Sequence, residues 1–487
     1  VTFPGEVPDP LGVADALAGQ AAERDIARFA DLPPGIDGRE HARLEERLAD
    51  FLRPSHMARV FEVARSSRDV PSAEPRRREL RALAPVYLRA GMREIREIED
   101  ELAARRARRD VPASGFEAAL ALAADPAERD ALHERWLALE RDLEPAHEAR
   151  RAMREDLAQR AGAQSVADLL GAAHPRAPLE LVAPFERIVV EPLDEAVGRA
   201  SRRLWRVYGR GSSPPAAADA PRVEQRIANG GEIGRDAIVG AMRRLAARSE
   251  FPGAVGVDHG SATAAGPGAV WRLARDGRAW VGIGACPGEP TLRAALGARG
   301  AATRAAFVAS ARGSVAARFA DPAYAAAAET LYGRLALSAT FRDWAGLRPL
   351  RESSALGLHE SVATRLGWVY LQTVLAHDEA TSPAFGRSVE RASGGPVTPA
   401  HRDRVRDVDP AAAASLRGAI LGLLLEERLL TRFGRAWFDS TRARGWLSTM
   451  WEAEPDHAAE ELAAAAELGS FEPTPVLDAS RAGLAAG

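Results

Sequence analysis

The chain has 487 residues, enough for one large core or two or three ordinary ones, with 27% charged residues and a formal net charge of −3. That balance excludes both the basic footprint of a nucleic-acid binder and the acidic run of a solvating tail. Every basic residue is an arginine, which excludes a Schiff-base or phosphate-loop lysine, and the single cysteine, Cys286, excludes a disulfide framework or a thiolate zinc cluster.

Heavy use of alanine beside a single asparagine, Asn229, carries the imprint of a GC-rich bacterial genome. The first segment, "VTFPGEVPDPLG", lacks the basic start and apolar stretch of a secretory signal, so a soluble, cytoplasmic protein is expected. From Ala14 to Tyr208 the pattern predicts helices only. In "VYLRAGMREIREIEDEL", Leu88, Met92, Ile95, Ile98 and Leu102 step by three and four, the spacing of one buried helical face. Ser165 followed by Asp168 makes a capping-box start.

The stretch from Gly209 to Arg222, "GRGSSPPAAADAPR", reads as a linker or loop, placed at 211–222, between an N-terminal half (1–210) and a C-terminal half (223–487). The two halves are expected to form one two-lobed unit. After a helix near 233–249, "FPGAVGVDHGSATAAGPG" reads as a loop carrying Asp258 and His259. "AVWRLAR", Asp276-Gly277 and "RAWVGIG" then predict a β-hairpin over 269–284 with a two-residue turn. Helices follow from Glu289 to the end, first over 289–307. The most apolar run, Ala411 to Leu425, contains Arg417 and is too short to span a bilayer.

This order, a long helical half, then a hairpin, then a helix, resembles the zinc metallopeptidases of the oligopeptidase and angiotensin-converting-enzyme type. Local pieces resemble the family in the same order. They are "RRAMREDLAQRAGAQSVADLL" (150–170), "PGE" (287–289), "DPAYAAAAETLYGRLA" (321–336) and the C-terminal segment that begins "GWLSTMWEAEPDHAAEEL". The resemblance implies a mostly α fold: a large multi-helix metallopeptidase-like structure with a deep cleft and a small β-hairpin or sheet beside the active-site helix.

In that family H-E-x-x-H places two histidines on one helical face, with a glutamate that activates zinc-bound water. Setting "LGARGAA" against this motif puts Gly297 and Ala301 at the histidine positions and Ala298 at the catalytic glutamate. Glu329 stands at the third-ligand position, and the segment expected to bind the transition state falls on Ala411–Ala414. Glycine and alanine have no donor atoms, so no metal and no cofactor are expected. The same residues also suit an alanine-rich helix that never carried ligands. On either reading the chain is no standard HExxH peptidase.

The remaining candidates are Glu329, His259, His359 and Glu360 for chemistry, and Arg299, Trp280 and Tyr332 for lining the cleft. Arg299 adjoins the lost base and could set a guanidinium where the metal charge would be. His359 and Glu360 are neighbours on a helix, about 100° apart, and do not converge on one ion unaided. The leading expectation is a pseudopeptidase that binds a peptide or small molecule in the cleft, with no nucleic-acid or membrane partner. The alternative is a repurposed metal-independent enzyme acting on a small metabolite by cyclisation or rearrangement, as in secondary metabolism. A third reading is a metallopeptidase with displaced ligands.

Overall fold

The computed structural model describes residues 9–485 apart from 30–37, 68–69, 71–72, 108–112, 175–177, 210–215, 228–232, 249–250, 252–256, 262–267, 285–287, 351–352, 377–381 and 407–410. Helices make up nearly all of it, and one small sheet interrupts them at mid-chain, as the sequence pattern predicts. No helix among the described residues is long and apolar enough to cross a membrane.

Two large hydrophobic cores form. One gathers side chains from Val13 to Ala173 together with Phe319. The other gathers side chains from Leu181 to Leu477 around the central helix, Glu289–Arg312. The stepped residues of the N-terminal half behave as their spacing requires, since Leu88, Ile95 and Leu102 are buried. They do so on two helices rather than one, Glu74–Ala90 and Arg93–Ala107, because the chain breaks at Gly91, where glycine weakens a helix interior. Ser165 caps its helix as expected: its Oγ accepts from the Asp168 amide at 3.1 Å, and the Asp168 carboxylate accepts from the Gln164 amide at 3.0 Å.

Part of the expected linker is helical. Ala217–Asp219 forms a 3-10 turn leading into a helix over Ala220–Ile227. Asp219 is fully buried and accepts from Arg129 Nε at 2.7 Å, which pins this segment to the N-terminal half.

The hairpin is present as β2 (Ala269–Leu273) and β3 (Ala279–Ile283). Its loop holds three residues rather than two: the Ala274 amide donates to the Arg278 carbonyl at 2.7 Å, and the Gly277 amide to the Ala274 carbonyl at 3.2 Å. Gly277 adopts φ 81°, the left-handed position that closes such a loop. The stretch around His259, expected as a loop, supplies a third strand, β1 (Val257–Ser261), parallel to β3, so the order is β1-β3-β2. β3 is therefore the central strand and is buried throughout, while β2 is an edge.

The central helix starts at Gly288 (φ 144°) and ends at Gly313 (φ 89°). Glu289 in its first turn receives two bonds of 2.8 Å from Arg342, a bidentate pair buried in the core. Strands, helices and loops surround this helix, and most of its side chains are buried. Small residues follow from that crowding. A Cβ on Gly297 would stand 2.7 Å from the Glu329 carbonyl oxygen, and one on Gly300 would stand 2.5 Å from the Tyr332 ring.

Candidate functional site

Two cavities adjoin the central helix, with volumes that suit small molecules or short peptides. The smaller, about 370 Å³, lies among the central helix, the Ala323–Gly333 helix, the Ser353–Leu375 helix and the Ala411–Phe433 helix. Gly297, Ala298, Glu329 and His359 all belong to its lining. The larger, about 720 Å³, lies between the sheet edge β2, the Pro10–Phe29 helix, the Glu74–Ala90 helix and the segment from Ala317 to Glu329. Glu329 and Ala269 line both.

Glu329 projects from a helix packed directly against Gly297, so the expected third-ligand position does stand beside the expected first-histidine position. Its Oε1 accepts from the indole of Trp271 at 2.8 Å. The carboxyl is open to the solvent of the cavities, yet protein surrounds it closely enough that burial raises its pKa, and the Trp271 bond only partly opposes this. His359 is pushed the other way, to about 4, by burial and by the nearby Arg293 charge, with Glu360 partly offsetting them. Its Nδ1 is buried and has no hydrogen-bond partner among the described residues. The smaller cavity thus holds a neutral imidazole and a carboxyl that keeps its proton more readily than usual.

Glu360 turns away from both cavities. It receives Arg293 at 3.1 Å and Arg334 at 3.2 Å, and Arg334 also reaches Glu426. Burial pushes its carboxyl up, but the two guanidinium groups outweigh that and hold it below the usual range. It is a fixed counter-ion, not an available acid.

The other candidates divide as the packing dictates. His259 sits in β1, in register with Val281 of β3. β1 and β2 lie on opposite sides of β3, so the strand carrying His259 is not the one at the larger cavity. Trp280 is buried in the central strand and lines neither cavity; Trp271 of the edge strand takes the place expected for it. With β1 read as a loop, the sequence could not tell which hairpin strand would be the edge.

Tyr332 is buried behind Gly300, its ring 5.6 Å from that of Trp437 at 84°. Burial raises its hydroxyl above the ordinary value, and the charge of Arg299 pulls it down. Arg299 itself is 6% exposed and lines neither of these two cavities. Ala301 is fully buried, and Ala413 and Ala414 lie in the core. Cys286 lies outside the described residues.

A zinc ion held in the manner the resemblance implies does not fit these residues. Gly297, Ala298 and Ala301 offer no donor, and the backbone of Glu329 already occupies the space where a side chain at 297 would begin. Among the described residues no group of three or more His, Cys, Asp or Glu side chains gathers as a metal site would.

No family model matches the sequence, and no curated protein does. Solved structures match over nearly the whole chain. One described as an oligoendopeptidase F from Bacillus anthracis str. Ames has 11% identity and a TM-score of 0.54, covering 99% of this chain and 96% of that one. PZ peptidase A has 11% identity and a TM-score of 0.58, covering 99% and 98%. The M32 carboxypeptidase from Deinococcus radiodurans R1 has 16% identity and a TM-score of 0.52, covering 97% of each. The chain therefore has the large, mostly α fold of these metallopeptidases.

Proposed function

We propose that this chain binds a peptide or small molecule in the cleft of a metallopeptidase fold and does not hydrolyse peptides through zinc-bound water. One observation carries the reading. Where the resemblance calls for two imidazoles and a carboxylate, the central helix has glycine and alanine, and at 297 a neighbouring carbonyl oxygen lies 2.7 Å from where a side chain would begin. The cavities that flank the helix have ligand-sized volumes. On this reading the protein is cytoplasmic, takes a peptide or metabolite, and has neither nucleic acid nor membrane as partner. The N-terminal half (1–210) serves as one wall of the cleft and the C-terminal half as the other. The test is elemental analysis of the purified chain together with a peptide-cleavage assay in added zinc. Neither stoichiometric zinc nor zinc-stimulated cleavage is expected. Zinc that is lost in Glu329→Gln, with cleavage lost alongside it, would overturn the reading.

A second reading is favoured by the contrast between Glu329 and His359. Groups whose surroundings drive their pKa values apart are the usual form of an acid–base pair. Here a neutral imidazole and a readily protonated carboxyl line one small cavity. A metal-independent proton transfer on a small metabolite would use the imidazole as base and the carboxyl as acid. It predicts a turnover that both Glu329→Gln and His359→Gln abolish, by 100-fold or more on the order typical of general acid–base catalysis. Activity that survives both changes would dismiss it.

A further inference from the structure

The larger cavity contains two arginines with donors to spare. Arg304, three residues beyond Ala301 on the central helix, is 2% exposed. Its Nε donates to Glu454 at 2.5 Å, and its guanidinium lies 5.6 Å from the centre of the Tyr324 ring. Its Nη2 is buried without a hydrogen-bond partner among the described residues. An orphaned buried donor of this kind is costly and calls for an explanation. Arg89, in the last turn of the Glu74–Ala90 helix, is half-buried and lines the same cavity, with no hydrogen bond or ion pair among the described residues.

The other charged groups around this cavity are engaged. Arg81 donates to the carbonyls of Phe319 (2.9 Å) and Ala173 (2.7 Å) and to the Glu74 carboxylate. Arg272 pairs with Asp25 at 2.8 Å, and Arg318 with Asp15 at 2.7 Å. Asp321 receives two bonds from Arg417, at 2.9 and 2.6 Å. Glu329 is bonded to Trp271. None of the lining carboxylates is paired with Arg304 or Arg89, so an anion from outside would meet donors that nothing inside already occupies.

Arg81 and Arg89 also measure the cavity. They stand eight residues apart on one helix, so the ends they mark are about 12 Å apart, the reach of about three or four extended residues. Arg304 is at the Arg81 end, near Asp321 and Glu454, and Trp271 and Phe319 add aromatic surface to the lining. Burial also raises the Glu454 carboxyl to about 7, against the pull of Arg304, so its hold on the Arg304 charge weakens near neutrality.

We propose that the larger cavity takes an elongated, peptide-sized ligand that carries an anionic group, a carboxylate or a phosphate, received by Arg304 at the inner end, with Arg89 adding a second positive charge at the far end. This rests on reading the cleft as a binding site and names the chemistry of what it binds.

Native mass spectrometry and calorimetry on the full chain test it, with a library of acetylated tripeptides offered as free acids and again as C-terminal amides, and with phenyl phosphate. The acids are expected to bind at least 10-fold more tightly than the amides. Arg89→Gln should weaken the acids about 10-fold and leave the amides unchanged. Arg304→Gln strands Glu454 and is open to misfolding, so Arg304→Lys, which keeps the charge, serves beside it and should weaken the acids similarly. Phenyl phosphate binding more tightly than the acids, with the same dependence on both arginines, would identify phosphate as the source of the anion and support the inference. Acids and amides binding equally would overturn it while leaving the binding reading intact, as would acid binding indifferent to Arg89→Gln. Failure of all three probes to bind would overturn both.

Discussion

Glu329 and His359 are driven in opposite directions by one condition, a protein wall around a side chain that water only partly reaches. For His359 the sign follows from proton counting. Between pH 6.5 and about 4 the unfolded chain binds a proton that the folded imidazole refuses, so stability is full above 6.5 and is lost as the pH falls through that window. His359→Gln should remove about 1–2 kcal/mol of that acid sensitivity, after allowance for partial solvent access. Melting temperatures from pH 4 to 7 would check this, and an unchanged slope would show that water shields the imidazole. Glu329 runs the other way: its folded pKa is raised, so ionising it costs stability as the pH climbs past the ordinary carboxyl value. Because its partner is an indole, Trp271 fluorescence should report this titration, with a midpoint above that of an ordinary glutamate, and Glu329→Gln should abolish the transition. At this scale the sequence was informative about residue type and silent about direction. Adjacent positions on a helix had to point apart, but that His359 would face the cavity and Glu360 the arginines depends on Arg293 and Arg334, which other helices supply.

At the scale of elements, the central helix has two independent reasons to lack large side chains. On the proposed reading, loss of ligands would account for 297, 298 and 301, while packing accounts for 297 and 300 directly, because a neighbouring backbone or ring already fills the space. The two reasons predict different outcomes. Gly297→Ala should cost about 1–3 kcal/mol as the Glu329 helix is forced outward. Gly240→Ala, in the open Arg235–Arg248 helix with nothing within 4 Å, should gain about 0.5–1 kcal/mol from better helix propensity. Chemical denaturation of both variants separates a helix tightened by neighbours from one merely rich in small residues. Restoring Gly297→His, Ala298→Glu and Ala301→His together should lower stability and fail to bind stoichiometric zinc, since the first imidazole has no room to start. Stoichiometric zinc on elemental analysis would show that the two helices part easily. The elements themselves were largely legible, because helix periodicity and the Asp-Gly turn are local signals. β1 was not, because "VDHGS" contains glycine and turn formers and becomes a strand only by pairing with β3.

Across the whole molecule, the order of segments was readable because it needs only succession along the chain. The way the halves meet was not. That junction is built from arginines reaching carbonyls and carboxylates far away in sequence: Arg78 to Pro455, Arg81 to Phe319, Arg272 to Asp25, and Arg318 with Ser314 to Asp15. Two of these ties bind the Pro10–Phe29 helix to the hairpin side of the larger cavity, and they differ in solvent access. Arg272 and Asp25 are more than a third exposed, so breaking them should cost 0–1 kcal/mol. Asp15 and Arg318 are largely enclosed, and Asp15 also accepts from Ser314 at 2.6 Å, so its loss strands a guanidinium in protein. Asp15→Ala should therefore cost about 3 kcal/mol. It should also accelerate amide exchange in the Pro10–Phe29 helix well before the central helix responds, because the two belong to different cores. If exchange quickens equally in both helices, the halves unfold as one cooperative unit, and the larger cavity cannot open without melting the fold. If only the first helix quickens, that helix is the wall that moves, and a ligand that bridges it to Arg304 should slow its exchange again.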